Sequence, residues 1–162
     1  MSLRIRYAAT VLALLLCASP ARAEWQTHRR ANVQFNVPTG WLMRARGPVL
    51  TVAPQTGGLG VEFVALTNPS TNAIIERQLM GYLRGSFQAV RVTQPVRPIT
   101  QNGLAGVALR GVGMRNGQLL EWFALAIGAD GRGVAAIGFA LPGQITGNAA
   151  LITMLNSIQP IR

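Results

Sequence analysis

The chain has 162 residues, with fifteen arginines and no lysine against five carboxylates, one histidine and one cysteine, for a formal net charge of +10. A zinc site needs three or four converging ligands and a hydrolytic triad needs a base held by an orienting acid. His28 and the scattered Glu24, Glu62, Glu76, Glu121 and Asp130 supply neither, so no catalytic residue, metal or cofactor is expected.

Arg4 and Arg6 precede an apolar run over residues 7–18, and Ala21-Arg22-Ala23 follows with the small-x-small pattern of a signal-peptidase site. The run is shorter than the roughly 20 residues that span a bilayer. Residues 1–23 are therefore predicted to be a cleaved export signal, and residues 24–162 a single domain, periplasmic or secreted. Three leucines before Cys17 fit lipid attachment poorly. Cleavage removes that cysteine and three arginines, leaving twelve arginines against five carboxylates. A basic exported domain is drawn to an anionic membrane surface, an acidic envelope protein or a small anionic ligand. Nucleic acid is not expected, because the compartment is wrong and no platform of stacked aromatics and cations is evident.

Val33, Phe35 and Val37 alternate with polar residues, the two-residue period of a half-buried strand. Pro38-Thr39-Gly40 stops it, and Trp41 after the turn is expected to pack in the core. Residues 50–53 and 61–67 read as the next strands, and these segments together as a small antiparallel meander. Arg29, Arg30, Arg44 and Arg46 are predicted to form a basic group near this turn, with Trp25 an aromatic candidate for an interface.

Asn68-Pro69-Ser70-Thr71-Asn72 is a capping cluster, after which Ile75, Leu79, Tyr82, Leu83 and Phe87 recur at helical spacing. The opposite face carries Arg77 and Arg84, a second basic stripe for an anionic surface, at about 1 kcal/mol per arginine close to a membrane. From Leu104 onward, Asn116-Gly117 and Asp130-Gly131 are hairpin signals. Two-residue turns at both fix a register in which Gly111 lies beside Trp122, Trp122 beside Phe139, and Arg110 beside Phe123. The register sets Arg110 and Glu121 diagonally on one face, close enough to pair. Gly128, Gly131 and Gly133 resemble a phosphate loop in spacing. Such a loop leads into a helix, whereas a strand follows here. Both faces of this block are apolar and need cover, which a second helix over residues 146–156 is expected to supply on one face through Leu151, Ile152 and Leu155.

Two short motifs frame this order, Phe35-Asn36-Val37-Pro38-Thr39-Gly40-Trp41 and Leu155-Asn156-Ser157-Ile158-Gln159-Pro160. In both the chain resembles the PsbP/Mog/DcrB-like family. That resemblance implies an α+β fold, an α/β/α sandwich with a central, mainly antiparallel sheet covered by helices on both faces. It also implies a binding or assembly module with no catalytic residues to carry over. The expected function is an exported, non-catalytic envelope module acting through a protein-interaction surface. The alternative is a periplasmic carrier of a small apolar or anionic ligand, held between sheet and helix with Arg110 as its anchor.

Overall fold

The computed structural model describes residues 23–129 and 131–161. The expected export segment with Cys17 lies outside them, as does Asp130. Ten strands, a short 3-10 turn and two helices follow one another: β1 (Glu24–His28), the turn Arg29–Ala31, β2 (Val33–Val37), β3 (Trp41–Arg46), β4 (Val49–Pro54), β5 (Leu59–Thr67), α1 (Asn72–Ser86), β6 (Gln88–Gln101), β7 (Leu104–Arg115), β8 (Gln118–Ala129), β9 (Arg132–Ala140), α2 (Ala149–Asn156) and β10 (Gln159–Pro160). They make two antiparallel sheets, one of three strands in the order β1-β2-β10 and one of seven in the order β3-β4-β5-β9-β8-β7-β6.

The hairpin register holds as read. Gly111 faces Trp122 and Arg110 faces Phe123 across β7–β8, while Trp122 faces Phe139 across β8–β9. Asn116 and Gly117 both take positive φ, 53° and 77°, as a two-residue turn matched to strand twist requires. After β8 ends at Ala129, a strand, β9, starts at Arg132 where a phosphate loop would open a helix, so the glycines here are not a phosphate cradle. Gly128 and Gly133 face each other, and Pro69 packs against both.

One face of the large sheet is covered by α1, whose Ile75, Leu79 and Leu83 join Leu109, Leu120, Trp122 and Ile137 in one apolar cluster. Thr71 caps this helix, its Oγ1 accepting the Ile74 N–H, so the expected boundary is found; of the expected stripe Ile75, Leu79 and Leu83 are buried on the helix and Phe87 just past its end, while Tyr82 is only half-buried.

The other face departs from the expectation of a helix on each side. Val33, Phe35 and Val37 of β2 cover it together with Leu151 and Met154 of α2, above Phe63, Phe123, Leu125 and Ile127. Phe35 stacks on Phe63 at 4.0 Å between centroids. The reason is length. Helix α2 has eight residues, about 12 Å at 1.5 Å per residue, against roughly 29 Å across seven strands spaced about 4.8 Å apart. It begins at Ala149 rather than Thr146, because the Asn148 side chain caps it by accepting the Leu151 N–H at 3.0 Å. Leu151 is buried and Leu155 half-buried as expected, but Ile152 is 47% exposed and covers nothing.

The opening segments likewise do not form one meander. β2 lies in the small sheet and β3–β5 in the large one. The chain crosses between them at Pro38-Thr39-Gly40-Trp41, where the Trp41 N–H donates to the Pro38 carbonyl and Gly40 has φ 77°, a tight turn that needs glycine at its third position. Ser157 ties the two terminal motifs together, since its Oγ accepts the Asn36 N–H at 2.7 Å.

Candidate functional site

Helix α1 lies over β6, β7 and β8 and reaches β5 through side-chain bonds. A single helix, about 10 Å wide, covers only two or three strands. The β3–β5 end of that sheet face is therefore left open, and beside α1 it forms a groove of about 730 Å³. Its floor includes Val49, Thr51 and Ala53 of β4, with Arg46 on its outer side and Tyr82, Leu120 and Phe139 within.

Glu62 projects from the middle of β5 into the inner end of this groove and is only 6% exposed. Both of its carboxylate oxygens are held. Arg115 Nη2 donates to Oε1 at 2.8 Å and the Tyr82 hydroxyl to Oε2 at 2.9 Å. Arg115 stands at the end of β7, separated from β5 by β9 and β8, so its side chain must reach across the intervening pair. It does so over aromatic rings, with its guanidinium 4.4 Å from the centroid of Phe139 and 5.5 Å from that of Phe87. Gly60 faces Phe139 across β5–β9, and a side chain there would collide with the ring. Glycine at 60 thus lets the ring lie flat enough to carry the cation.

A buried carboxylate is tolerable only when paired and hydrogen-bonded, and here two donors, one of them the ring-stacked guanidinium of Arg115, meet that condition. Burial, followed by the neighbouring Glu62 charge, pushes the Tyr82 hydroxyl up to about 12. It remains a donor throughout the physiological range. This Arg115–Glu62 contact is the ion pair found among the described residues.

The expected partnership of Arg110 with Glu121 is not formed. The two share a face as the register required, but Glu121 Oε2 accepts the Gly143 N–H at 3.0 Å instead. Strand twist and the turn after β9 bring that amide within reach of the carboxylate, while Arg110 turns into a separate cavity between the sheet and the end of α2.

The four arginines expected to gather near the first turn are divided. Arg29 and Arg30 are exposed on the 3-10 turn, whose Ala31 packs into the cluster beneath the small sheet. Arg44 and Arg46 sit on β3 opposite Thr51 and Val49, on the groove side of the large sheet. Arg77 and Arg84 are exposed on α1 as read, Trp25 on β1 is 50% exposed, and Trp41 packs against the core.

His28 is buried at the end of β1. Its Nδ1 accepts the Ala31 N–H and caps the 3-10 turn, and desolvation lowers its pKa below the usual 6.5. Among the described residues no three histidine, cysteine or acidic side chains gather as a metal site would require, and no helix is long and apolar enough to cross a membrane.

Three solved structures share this architecture. The chain is similar to the cyanobacterial PsbP (CyanoP) of Synechocystis sp. PCC 6803, with a TM-score of 0.66 at 11% identity over 90% of this chain and 96% of that one. It is similar to LpqN of Mycobacterium tuberculosis, a protein involved in cell envelope biogenesis, with a TM-score of 0.55 at 16% identity over 80% and 83% of the two chains. It is also similar to PA94 of Pseudomonas aeruginosa, of unknown function and described as a putative regulator, with a TM-score of 0.53 at 13% identity over 87% and 99%. No protein-family model and no curated protein matches the sequence.

Proposed function

From a chain that carries the PsbP/DcrB-like fold, we propose a non-catalytic binding module of the cell envelope that takes an acidic segment of a protein partner along β3 and into the groove beside it. The observation that carries this reading is the state of β3. It is the terminal strand of the large sheet, so one of its edges offers unpaired backbone donors and acceptors. Leu42 and Met43 on it are 46% and 41% exposed, and Arg44 and Arg46 lie beside them with no carboxylate partner among the described residues. An added strand gains main-chain hydrogen bonds, with alternate side chains supplying specificity. The two arginines select an acidic sequence.

The inner end of the groove adds shape without free charge, because Glu62 and Arg115 neutralise each other. The sole histidine is engaged in capping a turn, which favours binding over chemistry. Membrane attachment through Arg77 and Arg84 is the weaker reading. Two arginines are worth about 2 kcal/mol at an anionic surface, too little to hold a protein there.

Placing a photo-crosslinking residue at position 42, in cells that make the protein, tests this. A discrete adduct with another protein is expected, lost in Arg44→Glu/Arg46→Glu and absent when the probe sits at the equally exposed position 152. Equal labelling at 42 and 152 removes the proposal, and an adduct of dimer size assigns the edge to a second copy instead.

A further inference from the structure

The cavity that receives Arg110 lies on the opposite face from the groove, between β6–β8 and the end of α2; it is partly open to solvent, with a volume of about 400 Å³. Its floor is apolar, with Phe123 and Leu125 from β8, and Ile99 and Leu155 face it from the sides. Into this setting come two cations, Arg110 and Arg97, and no carboxylate. Neither arginine has an ion-pair partner among the described residues, and the carboxylate diagonal to Arg110 is committed to Gly143.

The second arginine arrives through an irregularity. Gln94 pairs with Arg110 and Arg97 with Ala108, and the register shifts between the two pairs. In a regular strand, residues three apart point to opposite faces. The bulge at Pro95 and Val96 instead turns both Gln94 and Arg97 to the cavity side. Re-aiming a side chain is a common use of bulges beside binding sites.

The end of α2 would ordinarily oppose an anion here, because its last carbonyls carry partial negative charge. Those carbonyls are already bonded. Gln101 Nε2 donates to the Leu155 carbonyl and Asn102 Nδ2 to that of Asn156 at 3.0 Å, the latter also to the Ile158 carbonyl just beyond the helix at 2.7 Å. The cavity thus combines an apolar floor, sides that carry Gln94, Thr100 and Gln101, two unneutralised cations and a shielded helix end.

We propose that this cavity binds a single-chain amphipathic anion, its chain on Phe123 and Leu125 and its carboxylate or phosphate head between Arg97 and Arg110. At roughly 30 Å³ for each water-sized group, the volume takes about a dozen heavy atoms. Decanoate and decyl phosphate, used as monomers, are therefore the probes, with decanol and decyltrimethylammonium as controls of matched length.

Calorimetric titration of the purified protein reads the result. At least one of the two anions binds saturably at submillimolar concentration and at least ten-fold more tightly than either control, and the tighter of the two identifies the head group. Arg110→Gln weakens that binding at least ten-fold. Ala108→Phe, which fills the cavity, abolishes it while far-UV circular dichroism and the thermal midpoint confirm the fold. Binding of decanol as tight as that of both anions, no saturable binding of either anion, or unchanged affinity in Arg110→Gln overturns the proposal. Should Ala108→Phe fail to fold, the Arg110→Gln comparison still decides it.

Discussion

At the scale of single residues, His28 stabilises the fold only while it is neutral. Its folded-state pKa lies below the 6.5 of the unfolded chain because burial disfavours the charged imidazolium. Between those values the unfolded chain binds the additional proton. The histidine's contribution is complete above about pH 6.5 and is lost as pH falls from there towards the folded-state value. Thermal midpoints measured at pH 7.5 and 5.5 should differ less in His28→Asn, which keeps an acceptor for the Ala31 amide, than in the parent. An equal drop in both would show that the fold does not lower the pKa of His28. The cluster of Glu62, Tyr82 and Arg115 was harder to foresee from the sequence. Arg115 and Glu62 are 53 positions apart and sit on strands separated by two others. No local spacing rule joins them. Arg110 and Glu121 belong to one hairpin, so their common face could be read, but not the amide of Gly143 that claims the carboxylate.

At the scale of elements, glycine does opposite things in strand and helix. A methyl group at Gly111 would overlap the Arg91 carbonyl and the Trp122 indole, and the backbone atom cannot move aside. Gly81 on α1 is exposed and meets nothing within 4 Å. Gly111→Ala should therefore cost about 3 kcal/mol or more, and Gly81→Ala should add roughly 1 kcal/mol, or about 3 °C in thermal midpoint. Similar shifts for the two substitutions would contradict the packing of the indole against β7. The partner of Gly111 was legible because hairpin turns fix pairings arithmetically. The fourteen-residue β6 was not read, although Asn102-Gly103 at its end is the same hairpin signal, with φ of 49° and 80°. Pro95 and Pro98 hide it, since proline argues against a strand anywhere but an edge or a bulge. β6 is both, an edge strand with three register shifts.

At the scale of the whole molecule, the second layer depends on residues from both ends of the described chain. β2 is paired on one side by β1 and on the other by β10, and Ile158 beside β10 is fully buried. Ser157→Ala removes one neutral hydrogen bond and should cost about 1 kcal/mol. Truncation before Ser157 also strips the burial of Ile158, worth about 1.5 to 3 kcal/mol, and should lower the urea midpoint several times further. An unchanged midpoint after truncation would mean that β10 contributes nothing to closure of the small sheet. The two short motifs that suggested the fold family are the segments that meet at Asn36 and Ser157. Neither could show from its own residues that the other lies against it.

That meeting also sets an order of assembly. Gln34 pairs with Gln159, so β2 waits for a partner made 125 positions later. At about 5 to 20 residues per second the interval is roughly 6 to 25 s, whereas the hairpins of β7, β8 and β9 close within microseconds. The large sheet can form while one of its faces is still bare. β10 arrives last and, by pairing with the waiting β2, closes the small sheet over that face.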